Sequence, residues 1–107
     1  MKIKTENLTG RALDYAVAIC DGWDSDYLIK NPENIPEYST EWSECGPLID
    51  EFFVSIIERG DCWCADRPGF DVMTGKTAKE AICRAIAIEL DDEIEIPDEL
   101  LEPGIRE

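Results

Sequence analysis

The sequence predicts an α+β fold: a small antiparallel sheet of two or three strands packed with about three helices. Residues 10–21 and 78–91 place apolar side chains at helical spacing. Between them, Phe53–Glu58 and Cys62–Asp66 are rich in β-formers and flank a Gly-containing turn, the mark of a hairpin. Helices that stand apart from a hairpin in sequence pack onto one small sheet. The 107 residues suggest one domain, expected over 1–101, with 102–107 a frayed acidic tail.

Each element has its own warrant. Met1–Glu6 alternates weakly and reads as a short edge strand or an extended lead-in. Thr9 stands at an N-cap position before a stripe of Ala12, Leu13, Ala16, Val17 and Cys20, and Gly22 ends that helix. Residues 22–39 read as loop, punctuated by Asn31-Pro32 and Ile35-Pro36. Trp23, Tyr27, Leu28 and Tyr38 interrupt its polarity, so the loop either packs back on the body or makes contacts. The next helix begins between 41 and 46, capped by Thr40 or Ser43. Pro47 must sit in its first turn or bend it, because proline lacks the N–H an interior turn needs.

In the hairpin, Trp63 and Ala65 share one face and Cys62, Cys64 and Asp66 the other. Phe70–Met73 can add a third strand. Thr77-Ala78-Lys79-Glu80 is a capping box: the threonine accepts from the third helical amide and the glutamate reaches back to the cap amide. Ala78, Ala81, Ile82, Ala85, Ile86 and Leu90 follow as a stripe broad enough to pack on a sheet. In the acidic end, Ile94, Ile96, Leu100 and Leu101 fasten the chain.

Chemistry is sparse. No histidine is present, and Cys62-Trp63-Cys64 lacks the second close pair of a four-ligand zinc site, so no metal is expected. The five cysteines, an odd count without a secretory leader, read as free thiols in a reducing compartment. Gly75-Lys76-Thr77 ends like a phosphate loop, but Phe70 stands where the first glycine belongs. No twelve-residue calcium loop accompanies Asp91-Asp92-Glu93. Arg59-Gly60-Asp61 matches an integrin tripeptide by chance. No catalytic residue and no cofactor emerge.

The formal net charge is −15, with 25 Asp and Glu against 10 Lys and Arg. Such a charge repels nucleic acid and anionic membranes and favours a basic partner. The plainer reading is an acidic surface with no partner behind it. No run of apolar residues is long enough to span a membrane.

Lys4-Thr5 with Leu8 to Ala18, Tyr38 to Trp42 with Gly46 to Ile49, and Thr77 to Leu90 with Glu93 to Pro97 resemble the NinX-like phage proteins, a family without an assigned function. Tyr38 to Thr40, Trp63 and Ala81 to Ala85 also look like the phage "ABA sandwich" domain, where a Tyr-Ser-Thr segment opens a helix and a Trp-containing strand follows. The resemblance implies a phage or prophage accessory protein in the bacterial cytoplasm, with no catalytic residues to carry over.

The expected function is therefore non-enzymatic: binding and modulation of a host or defence protein with a basic surface, with nucleic-acid mimicry as a specific version. The alternative is a binder of a small nucleotide signal, if Arg11, Arg67 or Arg84 is focused locally. Trp23, Tyr27, Tyr38 and Trp42 are one candidate contact set, and Asp91, Asp92 and Glu93 the other. A homo-oligomer is plausible, because a small sheet leaves an open edge or an uncovered face.

Overall fold

The computed structural model describes residues 1–101, so the frayed tail expected over 102–107 lies outside the described residues. The elements run β1 (Lys2–Lys4), α1 (Gly10–Cys20), α2 (Ser25–Lys30), α3 (Trp42–Phe52), β2 (Ser55–Glu58), β3 (Trp63–Asp66), β4 (Met73–Gly75), α4 (Ala78–Ala87) and β5 (Glu93–Glu95). Single 3-10 turns occupy Thr5–Asn7, Pro32–Asn34 and Asp98–Leu100. The α+β class holds, with one more helix and one more sheet than the sequence announced.

The hairpin closes with the Arg59 amide donating to the Cys62 carbonyl at 2.9 Å. The three-stranded sheet has the order β2-β3-β4, antiparallel throughout. Its register aligns Ile56, Ala65 and Met73, the row that faces α4. On the other face Ser55, Ile57, Asp66 and Thr74 are exposed. The third strand begins at Met73 rather than Phe70, because Arg67–Phe70 forms a turn first. Cys62 belongs to the hairpin turn, ahead of β3.

The second sheet joins the two ends of the described chain. β1 pairs with β5 antiparallel, Ile3 opposite Ile94, with Lys2 opposite Glu95 and Lys4 opposite Glu93. Both isoleucines are buried, as are Ile96 and Leu100. Thr5 locks the junction: its amide donates to the Asp92 carbonyl at 2.8 Å and its hydroxyl to the Asp91 carbonyl at 2.6 Å.

α4 is the centre of the molecule. Ala81, Ile82, Cys83, Ala85, Ile86 and Ala87 are all fully buried, as expected of a helix covered on several sides. It packs on β3 and β4, and α1 and α3 pack against it in turn. Its cap departs from the expected box in one detail. Thr77 Oγ1 accepts from the Glu80 amide at 3.1 Å, but the Glu80 carboxylate accepts from Lys76, one residue before the cap. The same carboxylate lies 3.4 Å from Arg84, one turn on. The helix ends at Ala87, short of the expected 91, and tightens into i→i+3 bonds through Leu90.

Gly75 explains how closely β4 approaches α4. A Cβ there would lie 2.6 Å from the Ala81 backbone nitrogen, which cannot yield. Thr9 stands at the N-cap of α1 without a side-chain cap bond. Pro47 lies in the second turn of α3, not the first, where it is exposed and leaves the Ser43 carbonyl without its helical donor. α3 ends on Phe53, a non-glycine residue in the left-handed region (φ 56°) and 75% exposed.

Candidate functional site

The expected loop over 22–39 is built around α2. Asp24 supplies the cap, accepting from the Tyr27 amide at 2.9 Å. The Asn31 side chain donates to the Tyr27 carbonyl at 3.0 Å, and Asn34 donates to the Tyr27 hydroxyl at 2.8 Å. Trp23 and Tyr27 stack with ring centroids 6.1 Å apart and remain exposed. These contacts are internal to the segment; the Trp23 amide, donating to the Ala18 carbonyl at 3.0 Å, and Arg11, donating to the Pro32 carbonyl, tie it to α1.

The four aromatic candidates therefore separate. Trp23 and Tyr27 form one exposed pair. Trp42, 50% exposed at the start of α3, carries the Lys79 ammonium 4.8 Å from its ring centroid. Tyr38 is buried, only 3% exposed, and its hydroxyl donates to Asp21 at 2.9 Å. Burial and then the Asp21 carboxylate push that hydroxyl above the ordinary tyrosine range. Tyr38 thus ties the 36–40 segment to the end of α1 and offers no face for stacking.

The acidic candidates lie elsewhere. Asp91, Asp92 and Glu93 line a separate cleft together with Lys2 and Lys4. The Asp91 carboxylate accepts from the Asp92 amide at 2.7 Å, and Lys4 stands opposite Glu93. Glu6 and Asp71 line the same cleft, so Lys2 and Lys4 answer its charge only in part, while the Asp91 carboxylate shapes the turn into β5.

The uncompensated charge gathers around α1, α2 and α3. Residues 12–53 contain ten Asp and Glu against Lys30 alone. Within this lobe a cleft of about 820 Å³ opens between α1, the Pro32–Asn34 turn and the start of α3. Glu33, Glu37, Glu41 and Glu44 line it, with Trp23 and Asp14. Arg11 also lines it and donates to the Pro32 carbonyl, fixing the turn to α1.

Asp14 is the residue that sequence reasoning missed. It lies in a run of seven buried residues, Ala12–Ala18, and is itself 5% exposed. Its Oδ1 accepts from the Ser39 amide at 2.7 Å. The hydroxyl of Ser39, a residue 9% exposed, lies against the same carboxyl without reaching hydrogen-bonding geometry and has no hydrogen-bond partner among the described residues. Burial raises the Asp14 pKa to about 6 against the opposing pull of Ser39, with Glu37 adding to the rise and Arg11 reducing it. The signal was present: a lone acid on the apolar stretch of a helix. Its meaning depended on the 36–40 segment crossing it.

The three arginines that a phosphate ligand would need are committed to main-chain carbonyls. Arg67 is buried, donating to Phe52 and Ala85 at 3.2 Å each and to Ile86 at 3.5 Å, and it pairs with Glu89 at 2.9 Å. Phe52 and Phe70 sandwich its guanidinium at 5.0 and 4.5 Å. Arg84 donates to Leu8 at 3.0 Å and Thr74 at 2.8 Å. Cys45 and Cys83 are buried between α3 and α4, where contact with Cys45, and then burial, hold the Cys83 thiol protonated. Burial likewise raises Cys20 to about 12. Cys83 and Cys20 are therefore poor nucleophiles, whereas the contact with Cys83 lowers the pKa of the fully buried Cys45. No group of three or more His, Cys, Asp or Glu among the described residues is placed to hold a metal ion, and no helix among them is long and apolar enough to cross a membrane.

A comparison with curated proteins returns no match. The sequence model of a family described as Bacteriophage P22, NinX matches residues 4–89, from the end of β1 through α4 and just beyond. That span holds every residue of the acidic cleft and most of the resemblance noted above. The chain belongs to the bacteriophage P22 NinX family.

Proposed function

We propose that this phage-family protein acts by binding rather than by catalysis, working in the bacterial cytoplasm. Its acidic lobe occupies a basic surface on a host or defence protein and so modulates or inhibits it. One observation carries the reading: ten carboxylates and a single lysine over residues 12–53, with Trp23, Tyr27 and Trp42 exposed among them. Aromatic side chains inside a charged patch supply contact area, while the charge steers the encounter. A basic groove built for nucleic acid is one surface that such a lobe fits.

A nucleotide ligand is the weaker alternative. Arg11, Arg67 and Arg84 already donate to backbone carbonyls, and the lobe around Trp23 repels phosphate.

The test is affinity capture from bacterial lysate in rising salt, run with two variants beside the wild type. Loss of the captured protein on combining Glu33→Gln, Glu37→Gln and Glu44→Gln, with retention on Asp91→Lys, Asp92→Lys and Glu93→Lys, is the expected pattern. The reverse pattern moves the contact to the β1–β5 end. Capture that neither set changes, or that ignores salt, removes the acidic lobe from the function.

A further inference from the structure

The two edges of the three-stranded sheet are finished differently. The hairpin closes at Arg59 and Cys62, so alternation turns the main chain of Ser55, Ile57 and Arg59 towards β3 and that of Ile56 and Glu58 outward. The same alternation turns the Thr74 main chain outward on β4. There the Arg84 guanidinium donates to the Thr74 carbonyl at 2.8 Å and closes the edge. On β2 nothing does so: among the described residues, no hydrogen bond reaches the main chain of Ile56 or Glu58 from the open side. Sheets commonly guard such an edge with charge or proline. β2 has no proline, and its one charged side chain is turned away, the Glu58 carboxylate accepting from the Gly60 amide of its own turn at 2.7 Å. Ile57, 49% exposed, and Phe53 leave apolar surface beside the free groups.

Charge narrows what pairs there. Residues 53–79 hold Glu58, Asp61, Asp66 and Asp71 against Arg59, Arg67, Lys76 and Lys79, four acids to four bases in a chain of net −15. A basic partner is drawn to the acidic lobe instead. The sheet is where a second copy can approach without meeting that charge.

The strand is also complementary to itself in one register. Setting Ile56 opposite Ile56 of a second copy calls on the Val54 amide, which already donates to the Ile49 carbonyl at 3.0 Å. Setting Glu58 opposite Glu58 places like charges face to face. Setting Ile56 opposite Glu58 uses the free groups of both strands and brings Ile57 against Ile57 in the closer, non-hydrogen-bonded position.

We propose that β2 pairs antiparallel with β2 of a second copy, Ile57 facing Ile57 across the two-fold axis, so that the two sheets become one. The inference stands apart from the binding function proposed above. An edge this short makes a small interface, so the dimer forms and dissociates with concentration.

The test is sedimentation equilibrium of the full chain from low micromolar to near-millimolar concentration, with amide hydrogen exchange read by NMR. The mass is expected to rise towards twice that of the chain, and at lower concentration when salt is raised, because the like charge that opposes association is then screened. That salt dependence is the reverse of the one expected for a basic partner. Exchange should slow at Ile56 and Glu58 as the dimer forms. Ile57→Lys places two ammonium groups on the axis and should weaken the dimer at least about tenfold, although it lowers the net charge of each copy. If that variant fails to fold, Ile57→Thr, which keeps strand propensity and loses the apolar contact, takes its place. A monomer throughout, a dimer indifferent to the substitution at Ile57, or protection that appears away from Ile56 and Glu58 overturns the proposal.

Discussion

At the residue scale, Asp14 links stability to pH in a direction opposite to most carboxylates. Its pKa in the folded chain is about 6, above the ordinary 3.8, so the folded state holds the proton more tightly than the unfolded state. The group's contribution is fully present below about pH 3.8 and is lost as pH rises through about 6. Above that, the buried charge costs on the order of 2–3 kcal/mol, one pKa unit being worth about 1.4. Asp14→Asn keeps an acceptor for the Ser39 amide and removes the charge. It should raise stability in urea unfolding by up to about 2–3 kcal/mol at pH 8 and leave it nearly unchanged at pH 4. An equal effect at both values would show that the carboxylate is not ionised against its surroundings. Arg67 has the opposite character. Its guanidinium satisfies carbonyls of both Phe52 and the end of α4 between two rings, so Arg67→Ala strands those carbonyls and Glu89. A loss of about 3–5 kcal/mol in the same assay is expected. Neither role was legible in the sequence, because each depends on main-chain atoms from a distant segment meeting one side chain.

At the element scale, what was legible followed from local chemistry. The cap at Thr77 and the β-formers from Phe53 to Asp66 are short-range signals; α4 starts and the hairpin turns where they predicted, although α4 stops at Ala87 and β2 begins only at Ser55. α2 escaped because six residues give too little period to see, although Asp24 was a cap in plain view. β5 escaped because Glu93-Ile94-Glu95-Ile96 alternates within a strongly acidic stretch, and its pairing partner lies some 90 residues away. Of the aromatic candidates, Tyr38 looked like its neighbours in composition, and only its bond to Asp21 marks it as structural. Gly75 gives the element scale its prediction. Gly75→Ala drives a methyl into the Ala81 nitrogen, and the junction of β4 with α4 must open to admit it. The cost should be at least about 2 kcal/mol by thermal or urea unfolding. A neutral result would mean that the strand and the helix can move apart freely.

At the scale of the whole molecule, charge is the governing term. A net charge of −15 repels itself, and the repulsion is concentrated in one lobe rather than spread evenly. Raising sodium chloride from about 0.1 to about 1 M shortens the Debye length from about 10 to about 3 Å. The melting temperature should therefore rise by several degrees, while binding to any basic partner weakens over the same range. A flat or falling melting temperature would mean that Lys2, Lys4, Lys79 and their neighbours already neutralise the surface. The pairing of β1 with β5 has a further consequence, for synthesis. During synthesis Ile3 emerges ahead of Ile94, with the helices α1 to α4 and the strands β2 to β4 between them. Until then one face of the core has no cover, and the nascent protein waits with an apolar seam open to chaperones. Joining so distant a pair is the slowest kind of contact to close, so the same two strands that finish the fold set the moment at which the acidic lobe is carried by a completed body.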